Sequence, residues 1–168
     1  VLNYLENFNQ FIFLMAIIFL TILITAIINF INFMDGIDGL IGSCLIILFG
    51  LAAIKIDVSF LIIIGGLIGF LFWNWHPSKI FMGDTGSTFI GAVYAGSILS
   101  SNNFGTSFDL LFCASPLLFD AIICIFRRFL AGENIFRPHS LHLYQRLCKA
   151  GWSHSIVSLN YLISIFLL

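Results

Sequence analysis

Charged side chains are scarce in this sequence. Only 15 of its 168 residues are Asp, Glu, Lys or Arg, whereas 60% are apolar, and the mean hydropathy is +1.08. A soluble domain carries about 25% charged residues, and a chain this short has no water-soluble interior large enough for so many apolar side chains. The composition excludes a soluble globular domain and a disordered chain. The net charge of −1 gives no basic field for a nucleic acid.

Cysteine pairs with metal-binding or redox spacing are also lacking. Four cysteines are present, and no two of them are separated by only two residues. Three of them lie inside apolar runs, so the sequence indicates neither a disulfide framework nor a zinc site.

Apolar runs with little or no charge account for most of the chain. A helix that crosses a bilayer needs about 20 mainly apolar residues. Because helices satisfy their own backbone hydrogen bonds in lipid, we predict an all-α polytopic integral membrane protein with about six transmembrane helices in a single membrane domain, residues 1–168. The predicted spans cover residues 10–30, 40–54, 58–73, 88–99, 108–126 and 155–168.

Lys and Arg are unevenly divided between the two sets of predicted loops. Six lie in the first, third and fifth loops, and only Lys55 lies on the other side. Cytoplasmic loops carry the excess of Lys and Arg, so we expect the odd-numbered loops in the cytoplasm. The histidines and most of the acids fall on the same side, which places the chemistry at the cytoplasmic face. The six residues are Lys79, Arg127, Arg128, Arg137, Arg146 and Lys149.

The first cytoplasmic turn contains two amides and two carboxylates spaced by three residues. They are Asn29, Asn32, Asp35 and Asp38. Residues with this spacing stay near one face of a helix, so the four groups could converge on one cavity. Polar groups at the edge of hydrocarbon are costly unless they are used. The structural alternative is that Asp-Gly forms turns and that Asp38 caps the next helix.

The second cytoplasmic loop places Asp84 between Gly83 and Gly86 at the start of a helix. Glycines allow a close backbone approach, and a helix amino terminus favours an anion such as phosphate. A carboxylate at this point favours a divalent cation that bridges it to the anion. The alternative is that Asp84 only caps the helix. His76, before Pro77 in the same loop, is predicted to be positional.

Asp120 lies in the cytoplasmic half of the fifth predicted span, about two turns before Arg127. An acid inside a membrane is a functional candidate by default, although a pair with a neighbouring helix would explain it equally well. Pro116, one turn earlier, predicts a bend in that helix.

The third cytoplasmic loop combines His139 and His142 with the flanking Arg137 and Arg146. Arginine binds phosphate with two parallel hydrogen bonds, and histidine can donate to a phosphate oxygen or exchange a proton with it. An amphipathic surface helix would give the same pattern. His154 is assigned no role.

These three segments together resemble the polyprenyl-phosphate N-acetylhexosamine-1-phosphate transferase family, glycosyltransferase family 4. The residues that carry the resemblance are Asn-x-x-Asn-Phe-Met-Asp-Gly-Ile-Asp-Gly from Asn29, Phe-Met-Gly-Asp-Thr-Gly-Ser from Phe81 and Arg-Pro-His-x-x-His-x-Tyr-Gln-Arg-Leu from Arg137. The last motif is similar to the branch that initiates O-antigen and related surface polysaccharides. The peptidoglycan branch would have consecutive histidines.

The resemblance implies a reaction at the inner membrane of a bacterium. Undecaprenyl phosphate would attack a UDP-N-acetyl amino sugar, forming a lipid diphosphosugar and releasing UMP, with Mg²⁺ or Mn²⁺ as cofactor. Asp84 and Asp35 would be metal ligands, with Asp35, His139 and His142 catalytic. The substrate contacts would be Asn29, Asn32, Asp38, Asp120, Arg137 and Arg146.

One family feature is missing: the chain contains no adjacent acid pair, which the family carries in an earlier cytoplasmic loop. We therefore expect the chain to be the carboxy-terminal half of a longer transferase, with a homodimer among the assemblies open to it. Two other functions stay open at this point, a membrane transporter and a catalytically inactive fragment.

Overall fold

The computed structural model describes residues 10–134 and 140–168. In these ranges the chain is helical and has no strand, which confirms the predicted all-α class. It has eight helices there, whereas the sequence predicted about six. They are α1 (Gln10–Phe33), α2 (Leu40–Lys55), α3 (Phe60–Asn74), α4 (Gly83–Ser100), α5 (Phe104–Cys113), α6 (Ser115–Leu130), α7 (Leu143–Lys149) and α8 (His154–Phe166).

The central helix is α2, which packs against α3 and α8, while α1 packs against α4 and α6. Most of α2 is buried because its surface is apolar all round, as expected for a helix enclosed by other helices. The ring of Phe49 stacks on Phe60 and meets the Tyr94 ring edge-on, with centroids 5.6 Å apart in the second pair. The buried Tyr94 hydroxyl donates to the Leu110 carbonyl (2.7 Å), which joins α4 to α5.

The fifth predicted span, residues 108–126, is wrong as a single straight helix. The chain breaks at Ala114, and α5 and α6 are inclined to each other by 66°. The predicted bend near Pro116 is thus present. Pro116 lies in the first turn of α6, where its missing N–H has no helical partner to lose.

The apolar helices differ in length. Among the described helices, α1 alone is long and apolar enough to cross a membrane, and the bent α5–α6 pair would be a second if it forms one span. The helices α2, α3 and α8 are apolar but shorter.

The connections at one end of the bundle carry the three polar segments. We call this end the motif face: residues 34–39 between α1 and α2, residues 75–84 at the entry to α4, and residues 140–154 around α7. At the opposite end, Lys55 pairs with Asp109, and Asn103 caps α5 by accepting from the Gly105 N–H (2.9 Å).

Candidate functional site

The turn from α1 to α2 separates the first motif into two environments. The helix ends at Phe33, so the predicted helical face does not continue through Asp35 and Asp38. Gly39 precedes α2 with a φ of 75°, and a Cβ there would lie 2.8 Å from the Trp75 ring. The turn thus needs glycine at this position for its backbone conformation and for its packing. Asp38 makes no cap to α2, which excludes the capping alternative.

Asp38 is the centre of a hydrogen-bonded cluster. The Ser78 hydroxyl donates to its Oδ1 (2.8 Å) and the Ser78 N–H to its Oδ2 (3.3 Å). Nδ1 of His76 lies 2.6 Å from Oδ2, and Nδ1 of His154 lies 3.2 Å from the same atom. Burial raises the pKa of Asp38, but these hydrogen bonds outweigh it and lower the pKa to about 2. Asp38 is therefore held as a carboxylate.

The backbone around Asp38 is fixed by buried polar groups from α3 and α8. The Gly39 N–H donates to Oδ1 of Asn74 (3.0 Å), and Nδ2 of Asn74 donates to the Ile80 carbonyl (2.8 Å). The Ser158 hydroxyl donates to the Asp38 carbonyl (2.9 Å). These bonds join the first motif to the second loop and to α8.

Asp35 faces a different partner, the carboxylate of Asp84. Burial first, and then the charge of Asp84, raise the pKa of Asp35 to about 7. Within the described residues, neither side chain has a hydrogen bond or an ion pair. Asp84 lies exposed in the first turn of α4 without capping it, which excludes the capping alternative.

Asn32 holds the two carboxylates near each other. Its Nδ2 donates to the buried Ser87 hydroxyl (2.8 Å), and this bond ties the last turn of α1 to the first turn of α4. Asp35 follows Asn32 in the chain and Asp84 precedes Ser87, so this hydrogen bond joins the two segments that carry the acids. Two carboxylates brought together in this way fit a divalent cation with oxygen ligands, such as Mg²⁺, because the cation would relieve their repulsion.

The nitrogen-containing cluster at Asp38 suits a cation less well. The ligand atoms of Asp38, His76 and His154 all lie within 4.8 Å of one another, and such a mixed set would favour a transition metal over Mg²⁺. However, the 2.6 Å between His76 and Asp38 is a hydrogen-bond distance. The cluster is therefore a hydrogen-bonded one that orients Asp38.

Asp120 anchors the short helix α7. Its Oδ1 accepts from the Leu143 N–H (2.7 Å), and its Oδ2 accepts from the Tyr144 N–H (3.3 Å) and the Tyr161 hydroxyl (2.7 Å). The carboxylate thus satisfies the amino terminus of α7 and joins it to α6 and α8. The pairing with neighbouring helices that the sequence left open is present.

Tyr144 connects the third motif to the first. Its hydroxyl donates to the Phe33 carbonyl (3.0 Å) at the end of α1. A Cβ on Gly36 would overlap this hydroxyl, so the Asp-Gly step next to Asp35 needs glycine for close approach. The His142 ring is buried and stacks on the Tyr144 ring, with Nδ1 3.5 Å from Oδ1 of Asp120.

The predicted site residues are only partly brought together. Asn32 contacts Ser87 of α4, and the charge of Asp84 in the same helix acts on Asp35. Asp38 has separate partners, Ser78 and His154 among them. Asn29 is exposed and donates to the Thr25 carbonyl of its own helix (2.7 Å), away from this group. Arg146 is exposed on α7. Arg137 and His139 lie outside the described residues, and the roles of all these residues stay predictions.

Sequence reasoning missed His76, Ser78, His154 and Tyr144. The two histidines had been assigned no chemical role, and each contacts Asp38 from a distant part of the chain. The available signal was only that both histidines lie on the side of the chain that carries the motifs.

Comparison with known proteins places the chain in a family. Residues 2–102, more than half of the chain, match the family model described as Glycosyl transferase family 4. The matched region includes Asp35, Asp38 and Asp84.

Relatives of the chain carry transferase names. A probable undecaprenyl-phosphate N-acetylglucosaminyl 1-phosphate transferase of Bacillus subtilis is 42% identical over 100 residues, covering 56% of this chain and 27% of that protein. The decaprenyl-phosphate N-acetylglucosaminephosphotransferase of Mycobacterium leprae is 36% identical over 118 residues, which cover 60% of this chain and 29% of that protein. A phospho-N-acetylmuramoyl-pentapeptide-transferase of Carboxydothermus hydrogenoformans is 38% identical over 101 residues, which cover 59% of this chain and 30% of that protein. The matched part thus spans less than a third of each relative.

Proposed function

The chain belongs to glycosyl transferase family 4, and from this premise we propose that it forms part of an enzyme that transfers an N-acetylhexosamine 1-phosphate from a UDP sugar to a polyprenyl phosphate. UMP is the other product, and the lipid diphosphosugar begins the synthesis of a cell-envelope glycan. The proposal rests most directly on the junction of α1 and α4, where Asn32 bonds to Ser87 and the charge of Asp84 helps to raise the pKa of Asp35.

Phosphoryl transfer between a diphosphate and a lipid phosphate brings several negative charges together. Its catalysis depends on positioning and on charge neutralisation rather than on a protein nucleophile. Mg²⁺, or Mn²⁺, held by Asp84 and Asp35 would supply the neutralising charge. Asn32, through its bond to Ser87, holds together the two segments that carry these acids.

The remaining polar residues would hold the substrates. Asp38, ionised and oriented by His76, Ser78 and His154, offers a fixed acceptor for hydrogen bonds from a polar substrate. Arg146, with Arg137 and His139 outside the described residues, would bind phosphate groups. His142 is buried against Tyr144, so its contribution to catalysis would pass through the position of α7.

The motif face would lie in the cytoplasm of a bacterium, at its plasma membrane. The excess of Lys and Arg in the loops of this end supports that orientation, and a cytoplasmic face gives access to a nucleotide sugar. A donor of the UDP-N-acetylglucosamine type is the proposed substrate, because the third motif has two separated histidines instead of consecutive ones.

The test uses the full-length protein that contains this chain, reconstituted in lipid. We expect UMP to be released from UDP-N-acetylglucosamine only when polyprenyl phosphate and Mg²⁺ are both present. Asp84→Asn should lower the rate by more than about a hundredfold, since even residues that only support metal ligands often contribute ten- to a hundredfold. Asp109→Asn, at the opposite end of the bundle, is the matched control.

Two outcomes would contradict the proposal. Release of UMP by Asp84→Asn at the wild-type rate would exclude Asp84 as a metal ligand. A requirement for UDP-N-acetylmuramoyl-pentapeptide would exclude the proposed donor and leave the reaction class in place.

A further inference from the structure

Two histidines from distant parts of the chain face the same oxygen of Asp38. Nδ1 of His76 lies 2.6 Å from Oδ2, and Nδ1 of His154 lies 3.2 Å from it. The centroids of the two imidazole rings are 5.0 Å apart. Within residues 10–134 and 140–168, both rings have their hydrogen bonds to Asp38 alone. The three side chains thus form a set of ligand atoms that includes neither Asp35 nor Asp84.

Nδ1 of His154 has no strong hydrogen bond in this cluster. The Asp38 N–H donates to it over 3.4 Å, which is longer than the usual 2.7–3.2 Å. The same nitrogen lies 3.2 Å from Oδ2, and it cannot donate to this oxygen while it accepts from the N–H. When Nδ1 carries its lone pair, two electron-rich atoms face each other. A cation between them would turn this repulsion into attraction.

The distances in the cluster are close to those of a zinc site. Zn²⁺ binds histidine nitrogen and carboxylate oxygen at about 2.0–2.2 Å, usually with tetrahedral geometry, which places two ligand atoms about 3.3 Å apart. The ligand atoms of Asp38, His76 and His154 all lie within 4.8 Å of one another, and the contact of His154 already has the required length. His76 would have to move away from Oδ2 by about 0.7 Å.

Two of the three side chains are fixed independently of any ion. The Ser78 hydroxyl donates to Oδ1 of Asp38 (2.8 Å), and the Ser158 hydroxyl donates to the Asp38 carbonyl (2.9 Å). These bonds leave Oδ2 directed at the histidines. His154 is the first residue of α8, so its backbone is fixed by the helix. Ligands that are already in place reduce the loss of conformational entropy on binding.

The cluster is accessible from one side. The side chains of His76 and His154 are 40% and 36% exposed, whereas that of Asp38 is 11% exposed. An ion can therefore enter past the histidines, and the exposed ring of His76 has room to move. A zinc site with three protein ligands keeps its fourth position for water or a substrate, and this position would lie on the exposed side.

We propose that Asp38, His76 and His154 form a binding site for Zn²⁺ or another divalent transition-metal ion, distinct from the proposed Mg²⁺ site at Asp35 and Asp84. Two imidazoles with one carboxylate favour such an ion, whereas Mg²⁺ prefers oxygen ligands. The ion occupies Oδ2 of Asp38 and replaces its contact with His76, so it inhibits the transferase. The inhibition rests on the proposed function, in which Asp38 contacts a substrate, but the binding does not.

Binding is measured with the full-length protein in lipid nanodiscs, as competition with a chromophoric chelator for Zn²⁺ in the presence of excess Mg²⁺. His76→Gln and His154→Gln should each lower the affinity for Zn²⁺ at least about a hundredfold, because even residues that only support metal ligands contribute ten- to a hundredfold. Glutamine keeps an amide that can donate to Asp38 but has no imidazole nitrogen. Equal affinity of these variants and the wild type would overturn the proposal.

Three control variants should bind Zn²⁺ as the wild type does. Asp84→Asn removes the proposed Mg²⁺ ligand, and Asp109→Asn removes an acid at the opposite end of the bundle. Cys148→Ser removes a thiol of α7 that lies near enough to feel the charge of Asp38. Loss of binding in Asp84→Asn would place the Zn²⁺ in the Mg²⁺ site, and loss in Cys148→Ser would assign it to a thiol. Either result would overturn the proposal.

X-ray absorption at the zinc edge tests the ligands in the wild type, so it does not depend on the folding of the histidine variants. We expect imidazole nitrogen and oxygen at about 2.0–2.2 Å and no sulfur at about 2.3 Å. Sulfur in the first shell, or the absence of imidazole scattering, would overturn the proposal.

The release of UMP separates the metal site from the proposed function. Zn²⁺ should slow the release by the wild type in excess Mg²⁺, and half-inhibition of His154→Gln, relative to its own rate without Zn²⁺, should need at least about a hundredfold more of the ion. If Zn²⁺ binds as expected and the protein releases no UMP, the transferase proposal fails and the metal site stands. If UMP is released and Zn²⁺ does not bind the cluster, the metal site fails and the transferase stands. Binding at the cluster without slower release would overturn the inhibition.

Discussion

Asp35 and Asp38 belong to one turn, three residues apart, and their surroundings are opposite. Asp38 receives hydrogen bonds from Ser78 and His76, and His154 contacts it as well, so its pKa falls to about 2. Asp35 is partly buried beside a second carboxylate, and its pKa rises to about 7. The same residue type in the same motif therefore lies in two different electrostatic environments.

The difference lies in what the distant parts of the chain bring to each acid. The second loop and α8 provide partners for Asp38, which is thereby fixed in place. The first turn of α4 brings another negative charge to Asp35. A carboxylate that the protein has already paired suits the positioning of a substrate, while two that it leaves unpaired together suit a cation.

Within this turn, the largest effect is expected from a change between the two acids, Gly36→Ala. The added Cβ would overlap the Tyr144 hydroxyl, so the Asp35 turn, α7 or both must move. A displacement of about 1 Å at a reacting centre can lower a rate about a hundredfold. We expect a loss of this order in the rate of UMP release by the full-length protein, with the Asp38 cluster less affected than Asp35.

Gly50→Ala is the matched control for this change. Gly50 lies within α2, and a Cβ there would meet nothing within 4 Å. Adding a methyl group to a helical glycine without a clash should leave the protein slightly more stable and equally active. Equal activity of Gly36→Ala and Gly50→Ala would mean that the contact with Tyr144 does not position Asp35.

The pH dependence of stability tests the Asp35 side of the comparison. Because the folded state raises the pKa of Asp35 from 3.8 to about 7, it binds a proton that the unfolded chain has already lost between these pH values. The free energy of unfolding should therefore fall as pH rises from about 4 to 7. Asp35→Asn should remove this part of the dependence, measured by thermal unfolding in nanodiscs with EDTA.

The same measurement with added Mg²⁺ tests the proposed cation site. A cation that binds only the folded protein raises its stability, and it competes with the proton on Asp35. The gain in melting temperature on adding Mg²⁺ should be larger at pH 8 than at pH 5 for the wild type, and absent for Asp84→Asn. If the gain in melting temperature does not depend on pH, the cation does not compete with the proton on Asp35, and Asp35 is not its ligand.

Much of the fold could be predicted because apolar runs are local. The predicted spans 40–54 and 58–73 lie within two residues of α2 and α3 at each end. The break at Ala114 lies in a run without glycine or charge, so nothing in its composition located it. The residue that bends the chain, Pro116, indicated only that a bend would occur nearby.

The site was harder to predict because its contacts are not local. The spacing of Asn29, Asn32, Asp35 and Asp38 predicted one helical face, but the helix ends at Phe33. Only Asn32 and Asp35 interact with the start of α4, Asn32 through Ser87 and Asp35 through the charge of Asp84. His154 reaches Asp38 from the first turn of α8, and no periodic pattern connects two positions so far apart in sequence.

The smallest effect is expected on the Asp38 side, where the pKa departs less from its ordinary value. Asp38 has a pKa of about 2 in the folded state, below the unfolded value of 3.8, so its contribution to stability is present above about pH 4 and is lost as the pH falls towards 2. Asp38→Asn should lower the melting temperature at pH 5 and have less effect at pH 2.5, the opposite dependence to that of Asp35→Asn. Asp109→Asn, whose partner Lys55 is exposed at the other end of the bundle, should change the melting temperature little, because exposed ion pairs contribute about 0 to 1 kcal/mol. If Asp38→Asn and Asp35→Asn shift stability in the same direction with pH, the two acids share one environment and the division of the motif between a fixed acceptor and a cation site is wrong.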